Sequence, residues 1–258
     1  MAYDYEYFKR EIFNLTAINL SDYKENQMKR RIDTLIAKRK FEGYDKYVQA
    51  IRTDTVLFEE FVTHITINVS EFYRNPEQWK MLEGTVLPNL IKKFGNNLKI
   101  WSAACSTGDE PYSLVMALSR FMPLTQIKIF ATDLDKQIIA KAKVGLYTDK
   151  SIENVPADFK KKYFTQVGPS FKISDEIKAR VEFKQHNLLK DPYPTSYHLI
   201  VCRNVLIYFT EEAKNEVFRK FSASLMKDAV LFIGNTEQII TYKDIGFDRL
   251  SSFYYIKT

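Results

Sequence analysis

The feature that most constrains the fold is the alternation of short apolar runs with helical stretches from Leu98 onward. The runs are LKIWSAA, IKIFATD, HLIVCRN and AVLFIGN, and the stretches between them have helical periodicity. Strands and helices that alternate in this way build a parallel sheet with crossover helices, so we expect an α/β domain over residues 98–258. Near the end, FDRLSSFYYIKT has two apolar runs around a Ser-Ser break and predicts an antiparallel hairpin at the sheet edge.

One segment interrupts this alternation. VPADFKKKYF has helical character, whereas VGPSFKISDEIKARVEF is strand-like around Gly168 and Pro169, where a turn is expected. Neither stretch fits a simple succession of strand, helix and strand. We therefore expect residues 145–182 to form an inserted β subdomain within 98–258.

The first quarter of the chain predicts helices alone. Apolar residues recur at steps of three and four around Phe8 and again around Ile32. Ser21 or Asp22 is the expected N-cap of the second helix, while YDKYVQAIR and TVLFEEFVTHI predict a third and a fourth. These patterns indicate a small all-helical domain over residues 1–70.

A connecting segment, residues 71–97, joins the two predicted domains. Asn75 is an expected N-cap, and Pro76 follows at the first helical position, where its missing N–H costs nothing. The pattern predicts a long helix that ends near Phe94.

Composition excludes several classes of protein. No window offers about 18 uninterrupted apolar residues and the first residues lack the features of a signal peptide, so we expect a soluble cytosolic protein. The two cysteines form no C-x-x-C pair and the three histidines have no ligand spacing, so no metal site is expected. The net charge of +6 suits an anionic partner, either nucleic acid or an acidic protein surface, or a merely solvated basic surface.

The turn AACSTGDEPYS after the first strand is the expected ligand cradle of such a sheet. A dinucleotide fingerprint would place three glycines here, whereas this turn has only Gly108. Asp109 and Glu110 would repel a phosphate at the helix N-terminus, but would suit a cationic or amine-bearing ligand. Glu110 could equally cap the helix that Pro111 begins, and the turn alone leaves both hypotheses open.

Asp133, at the end of the next strand, favours a ligand. An acid at this place can accept hydrogen bonds from both hydroxyls of a ribose. An adenosine-type ligand without phosphates fits both turns best, and S-adenosylmethionine is such a ligand. A methyltransferase is therefore the leading hypothesis.

Five motifs, in order, resemble one family: INVSEFYR, WSAACSTGDEPYS, ATDLD, HNLL and VCRNVLIYF are similar to CheR, the chemotaxis receptor glutamate methyltransferases. The predicted N-terminal helical domain matches as well. The resemblance implies a Rossmann-like S-adenosylmethionine-dependent methyltransferase domain. It also implies transfer of methyl groups to glutamate side chains of methyl-accepting chemotaxis receptors, giving γ-methyl esters and S-adenosylhomocysteine, for sensory adaptation.

The resemblance also implies site residues. The cofactor-contacting set is Asn68, Ser70, Arg74, Glu110, Asp133, Asn187, Leu188, Arg203 and Asn204. Arg74 and Tyr208 are implied to lie nearest the transferring methyl. The Arg74 fork could hold the carboxylate of methionine or that of glutamate.

Four of these residues also have a simpler structural explanation. Arg74 could form a surface salt bridge, and Tyr208 could be a core aromatic. Asn187 and Asn204 each follow a strand-like run, where asparagine is also a common turn residue.

A basic stripe on the second helix is the expected docking surface for the receptor. Lys24, Arg31 and Lys38 recur at steps of seven, with Arg30 beside them. A receptor helix that presents glutamates would be attracted to it, although a solvated helix face is the alternative. We expect a cytoplasmic monomer recruited to membrane receptor arrays, whose partners are the cytoplasmic helical domains of the receptors, with no nucleic-acid partner and no membrane insertion.

Some features depart from the family pattern. Ser70 stands where threonine is common, Asp109 where glutamate is common, and IGNTE where a His-Ser pair often stands, which leaves the role of Asn235 open. In some members the inserted subdomain docks a receptor tether, but its short, glycine-poor connection here argues against that role.

Two rival functions are weaker. Amino-methylating nucleic-acid methyltransferases place a D/N-P-P-Y/F motif after the fourth strand, where this chain has VCRNVLIYF, and DPYP precedes that strand. A non-enzymatic adaptor could keep the fold without turnover. The presence of Arg74, Glu110, Asp133 and Tyr208 argues against the adaptor.

Overall fold

The computed structural model describes residues 4–258, which divide into two compact units. The first unit comprises the chain up to Asn68 together with Ile207–Glu216. The second comprises Val69–Leu206 and Val217–Thr258.

The described residues up to Asn68 form four α-helices, α1 (Tyr5–Thr16), α2 (Glu25–Lys38), α3 (Tyr44–Thr53) and α4 (Thr55–Thr66). Their apolar faces bury Phe8, Ile32, Tyr47 and Phe61, as the periodicity predicts. Asp54 caps α4 by accepting hydrogen bonds from the backbone N–H groups of the first turn, at 2.9 and 3.0 Å.

The predicted cap of α2 is wrong. Ser21 and Asp22 belong to a separate 3₁₀ turn, Leu20–Asp22, and α2 begins after Lys24, which makes no side-chain cap. The Asn19 side chain caps that turn instead, accepting from the Ser21 N–H at 3.1 Å. The 3₁₀ turn uses the polar residues that would otherwise have capped the helix.

The second unit opens with the predicted connecting helix. It runs as α5 (Pro76–Met81), a π-helical turn over Leu82–Val86, and α6 (Leu87–Phe94). The wider turn precedes Pro88, which lacks an N–H and whose ring would crowd the preceding turn of a regular α-helix. The end near Phe94 is confirmed.

Asn75 occupies the predicted N-cap position before Pro76, but its side chain does not cap the helix. Asn75 has a left-handed backbone (φ 60°) and makes no side-chain hydrogen bond to the helix. Its Oδ1 accepts from Arg203 at 3.1 Å instead.

Within residues 4–258, ten strands and five further α-helices complete the fold, and most of them lie in the second unit. The strands are β1 (Ile100–Ala103), β2 (Ile129–Asp133), β3 (Leu146–Thr148), β4 (Phe164–Val167), β5 (Ser170–Ile173), β6 (Val181–Gln185), β7 (Tyr197–Cys202), β8 (Leu225–Ile233), β9 (Phe247–Arg249) and β10 (Tyr254–Lys257). The helices are α7 (Asp109–Leu118), α8 (Lys136–Val144), α9 (Ala157–Tyr163), α10 (Asp175–Lys178) and α11 (Glu211–Ser224).

The main sheet has seven strands in the order β6-β2-β1-β7-β8-β10-β9. β1 pairs in parallel with β2 and β7, with Trp101 opposite Phe130 and Ile200. β10 runs antiparallel to β8 and β9, so both the parallel sheet and the terminal hairpin are confirmed. All residues of β1 are buried, because helices cover both faces of a parallel sheet.

The interrupting segment forms a second sheet of three antiparallel strands, in the order β3-β5-β4. Tyr147, Phe164 and Ile173 of this sheet are buried with α9, whereas Leu146 and Val167 are exposed. The helix within VPADFKKKYF and the turn at Gly168 are both present. β6 begins within the range 145–182 but pairs in parallel with β2 of the main sheet.

Candidate functional site

Of the residues that the sequence singles out in the second unit, Glu110, Asp133, Arg203 and Asn204 lie at or just beyond the carboxyl ends of β1, β2 and β7, whereas Asn187 and Leu188 follow β6. β1 lies between β2 and β7 in the sheet, so the connections that leave its neighbours diverge there. Ligands of open α/β sheets bind at such a switch point. The site of the second unit is therefore built from the turn after β1, the end of β2 and the loop after β7.

The turn after β1 has a strained backbone. Ala104, Ser106 and Gly108 all have positive φ, of 69°, 49° and 89°. A Cβ on Gly108 would lie 2.9 Å from the Tyr112 ring and 3.0 Å from Cβ of Ala142, so glycine is required there. The tight turn brings α7 directly against the end of the sheet.

Asp133 fixes this turn to β2. Its carboxylate accepts from the Ser106 N–H at 2.8 Å and from the Asp135 N–H at 3.0 Å. Burial raises the pKa of Asp133 to about 6, although these backbone bonds oppose the rise. Each carboxylate oxygen has a second lone pair, so the group can also accept a hydroxyl of a bound ligand.

Glu110 lies in the first turn of α7 and points to the sheet. Its Oε1 accepts from the Ser102 hydroxyl at 2.8 Å, and its Oε2 lies 3.8 Å from Nη1 of Arg203. Burial raises the pKa of Glu110 to about 7, and the charge of Arg203 opposes this rise. Gly108 occupies the N-cap position and no side chain caps α7, so the hypothesis that Glu110 caps its helix is wrong.

Asp109 is a third buried acid beside them. Burial raises its pKa to about 6, while hydrogen bonds from the Thr107 and Ser70 hydroxyls oppose the rise. Three carboxyl groups with raised pKa values in one site are typical of a functional site. Their charge suits a ligand that brings hydroxyl or amine donors and excludes a phosphate.

Arg203, directly after β7, ties the loop to the start of α5. Its Nη2 donates to the Arg74 carbonyl at 2.7 Å, to Oε1 of Gln78 at 2.6 Å and to Oδ1 of Asn75. Its guanidinium also stacks on the Phe232 ring, 4.8 Å from the ring centre. This buried arginine holds the segment that carries Arg74 against the sheet.

Arg74 is half-buried on that segment. Its Nη1 donates to the Val69 carbonyl at 3.2 Å, and its charge opposes the rise of the Glu110 pKa. The neighbouring Tyr73 N–H donates to the Ser113 hydroxyl of α7 at 3.1 Å. The segment 69–75 is thus fixed to both α7 and Arg203.

The two asparagines differ. Oδ1 of Asn187 accepts from the Leu189 N–H at 2.9 Å, which is the bond of an ordinary asparagine turn; Leu188 beside it is buried. Asn204 has a positive φ of 60°, and within the described part of the chain its buried Oδ1 has no hydrogen-bond partner. Such an unpaired buried acceptor points to a ligand donor.

Sequence reasoning missed Glu237, in the IGNTE segment that departs from the family pattern. Its carboxylate is buried and accepts backbone N–H groups of the loop after β7. Asn235, which sequence analysis singled out instead, is exposed. The sequence signal that could have found Glu237 is its place three residues after Gly234, just beyond a buried strand.

The remaining predicted residues lie in the first unit. Asn68 and Tyr208 are half-buried, so Tyr208 is not a core residue, and its carbonyl accepts from the Lys24 N–H at 2.8 Å. Lys24 is half-buried, whereas Arg30 and Lys38 are exposed on α2. Arg31 donates to the His64 carbonyl at the end of α4 at 2.6 Å.

Residues 4–258 contain no group of His, Cys, Asp and Glu side chains placed to hold a metal ion. No helix within the same range is both long and apolar enough to span a bilayer.

The mainly parallel sheet and the acid-lined, glycine-poor site at its switch point are typical of the Rossmann-like domains that bind an adenosine-type ligand. Comparison with known proteins specifies the class further. Residues 68–254 match the profile of the CheR methyltransferase SAM binding domain, and residues 3–66 match that of the CheR methyltransferase all-alpha domain.

Known relatives agree along nearly the whole chain. A chemotaxis protein methyltransferase of Listeria monocytogenes is 42% identical over 255 residues, which are 99% of this chain and 97% of that protein. Chemotaxis protein methyltransferase 1 of Pseudomonas aeruginosa is 33% identical and covers 93% of this chain and 92% of its own length. One of Borreliella burgdorferi is 32% identical, over 92% and 88%.

The chain belongs to the CheR methyltransferase family. This confirms the family that the five motifs indicated and the predicted fold class. It also confirms the prediction of an S-adenosylmethionine-dependent methyltransferase.

Proposed function

We propose that this protein transfers methyl groups from S-adenosylmethionine to glutamate side-chain carboxylates of chemotaxis receptors. The products are glutamyl γ-methyl esters and S-adenosylhomocysteine, and the role is sensory adaptation. The observation that carries the proposal is the cluster of buried acids at the switch point, in a chain whose relatives are named chemotaxis protein methyltransferases. S-adenosylmethionine, when bound, supplies an electrophilic methyl group on a sulfonium.

The residues of the second unit suit that cofactor. Asp133 would accept the ribose hydroxyls, and Glu110 with Oδ1 of Asn204 would accept the donors of an amine. The buried side chain of Leu188 offers an apolar surface for a base. The full proposed set remains Asn68, Ser70, Arg74, Glu110, Asp133, Asn187, Leu188, Arg203 and Asn204.

Catalysis in this proposal rests on position and on exclusion of water. A glutamate carboxylate is already ionised at neutral pH, so the protein needs no general base. Arg74 would orient that carboxylate, because a guanidinium has five N–H donors and its bond to Val69 uses one. Tyr208 is the second residue that we propose to lie near the transferring methyl, and holding the reactants in line without water lowers the barrier.

The proposed substrate surface is the basic stripe of α2, formed by Lys24, Arg30, Arg31 and Lys38. Arg30 and Lys38 are the exposed members, so they would bear most of the attraction to an acidic receptor helix. We propose a monomer that works in the cytoplasm at receptor arrays. We also propose residues 1–70, 71–97 and 98–258 as helical domain, connecting segment and catalytic domain, with 145–182 as an insert.

Mass spectrometry of a receptor cytoplasmic fragment tests this function. After incubation with S-adenosylmethionine, receptor peptides should gain one methyl group at glutamate side chains. A fragment in which the modified glutamates are changed to glutamine is the control and should gain none. Methylation of lysine, arginine or amide nitrogen instead would overturn the proposal.

A further inference from the structure

Glu237 makes an unusual set of hydrogen bonds after β8. Its Oε1 accepts from the N–H groups of Val205 at 3.1 Å and Leu206 at 2.8 Å. Its Oε2 accepts from the N–H groups of Asn204 at 3.0 Å and Gly234 at 2.7 Å. A carboxylate has about four lone-pair sites, so the backbone of one loop and one strand end fills them.

The side chain is only 5% exposed. Burial raises the pKa of Glu237, while the four backbone bonds favour its charged form. Burial of a carboxylate costs free energy unless hydrogen bonds satisfy its oxygens. The four backbone bonds are therefore what allows Glu237 to be buried. With all its acceptor positions engaged, Glu237 is poorly placed to bind substrate itself.

The loop that it holds is the one that carries site residues. Arg203 and Asn204 begin the loop, and Asn204 keeps a positive φ there while its Oδ1 faces no protein donor among the described residues. Leu206 begins the 3₁₀ turn that continues to Tyr208. The three consecutive N–H groups bonded to Glu237 belong to Asn204, Val205 and Leu206. They follow Arg203 directly and lead into the 3₁₀ turn.

Gly234 shows how closely the loop is packed. A Cβ at this position would lie 2.7 Å from Oε2 of Glu237 and 2.8 Å from the Asn204 nitrogen. Any side chain at 234 would therefore displace the carboxylate or the loop. The end of β8 and the loop after β7 are therefore closely packed against each other.

We propose that Glu237 is a positioning residue for methyl transfer, which acts by fixing the loop 203–206 and through it Asn204. This inference rests on the proposed function for its catalytic consequence, whereas the fixing of the loop can be tested without a receptor. Its four backbone hydrogen bonds distinguish Glu237 from Glu110 and Asp133, the acids that we propose to contact the cofactor.

The test compares Glu237→Gln with the wild-type protein. A glutamine keeps the shape but has one acceptor oxygen, and its NH₂ group would face two of the four backbone donors. We expect kcat for receptor methylation, per site that binds S-adenosylhomocysteine, to fall by roughly 10- to 100-fold, because small displacements of positioning groups are that costly. The Kd of S-adenosylhomocysteine should rise by less than about fivefold, since Glu110 and Asp133 remain and the proposed contact from Asn204 is only one of several.

Hydrogen exchange gives the second measurement. In Glu237→Gln the amides of Asn204, Val205 and Leu206 should exchange faster than in the wild type, whereas amides of β1 should not change. Glu83→Gln is the matched control. Its carboxylate pairs with Arg120, which follows the C-terminal end of α7, whereas Glu110 lies in the first turn of that helix. It should leave both kcat and these amides unchanged.

Gly234→Ala serves if Glu237→Gln fails to fold, and it should lower kcat while the carboxylate is retained. Wild-type kcat per competent site in Glu237→Gln, or unchanged exchange at 204–206, would overturn the proposal. If the wild type itself methylates no receptor fragment, the proposed function fails, and hydrogen exchange still decides whether Glu237 fixes the loop.

Discussion

At the scale of single residues, the site is set by what burial does to carboxyl groups. Glu110 and Asp133 are kept from water, and their pKa values rise to about 7 and about 6. Backbone N–H groups and Arg203 nevertheless favour their charged forms. The site therefore offers carboxylates that a ligand donor stabilises, and its affinity should respond to pH near neutrality.

Affinity for the cofactor should fall as the pH falls through 7. Since the pKa of Glu110 is about 7, its ionised fraction drops from about nine-tenths at pH 8 to about one-tenth at pH 6. A ligand amine prefers the ionised form, so the Kd of S-adenosylhomocysteine should be roughly tenfold higher at pH 6 than at pH 8. Protonation of Asp133, with its pKa about 6, adds a smaller loss.

Titration calorimetry at the two pH values measures this dependence. Glu110→Gln should bind weakly at both pH values and retain only the smaller pH dependence due to Asp109 and Asp133, whose pKa values are about 6. Equal wild-type affinities at pH 6 and pH 8 would remove Glu110 from the binding site.

Asp133→Ala should abolish measurable cofactor binding. The change removes the acceptor for the ribose hydroxyls and frees the Ser106 and Asp135 N–H groups, so we expect a loss of roughly 100-fold or more. Asp158→Ala, at an exposed carboxylate that pairs with Arg120, is the control. Calorimetry like that of the wild type would show that Asp133 does not bind ribose.

At the scale of elements, Arg203 joins β7 to the start of α5. It satisfies the Arg74 carbonyl and the Gln78 side chain, and it faces Glu110. The helix that begins at Pro76 thus depends on a residue far along the chain for the polar groups at its start.

Arg203→Met should lower the free energy of unfolding by about 3–5 kcal/mol, because it removes the charge that faces the buried Glu110 carboxylate and the donor to Oε1 of the buried Gln78. Denaturant unfolding measures the loss. Arg120→Met, which breaks the pairs with the half-buried Glu83 and the exposed Asp158, should cost only about 1 kcal/mol. Equal losses for the two variants would contradict this role of Arg203.

Elements with a local pattern could be predicted from the sequence. The four N-terminal helices, the strands β1, β2, β7 and β8 and the terminal hairpin all follow from periodicity and turn residues. The N-cap position of Asn75 could also be predicted, but the hydrogen bond that its side chain makes with Arg203 could not. The cap expected at Ser21 or Asp22 was wrong, because a 3₁₀ turn includes both residues. Glu237 was missed because three of its four hydrogen-bond partners lie more than thirty residues earlier in the chain, where no local pattern connects them to it.

At the scale of the whole molecule, the chain carries a net charge of +6, and α2 concentrates part of it on an exposed face. Arg31 is bonded to the His64 carbonyl, so its replacement would disturb the packing of α2 on α4. The exposed Arg30 and Lys38 are better probes of receptor attraction. The attraction should weaken as salt screens it.

Reversing both charges, as Arg30→Glu with Lys38→Glu, should raise the KM for the receptor by about tenfold at low salt and leave cofactor affinity unchanged. The matched control reverses the exposed Lys92 and Lys128, which gives the same net charge elsewhere. An equal rise in the control would mean that net charge, and not the α2 surface, determines receptor affinity.

Transfer of a labelled methyl group tests the proposed function most directly. The protein is incubated with methyl-labelled S-adenosylmethionine and a receptor cytoplasmic fragment, with RNA in a parallel reaction, and the products are treated with mild alkali. The proposed function predicts volatile labelled methanol from the receptor fraction, since glutamyl esters hydrolyse under these conditions. Alkali-stable label on RNA, or no label on the receptor despite cofactor binding, would contradict it.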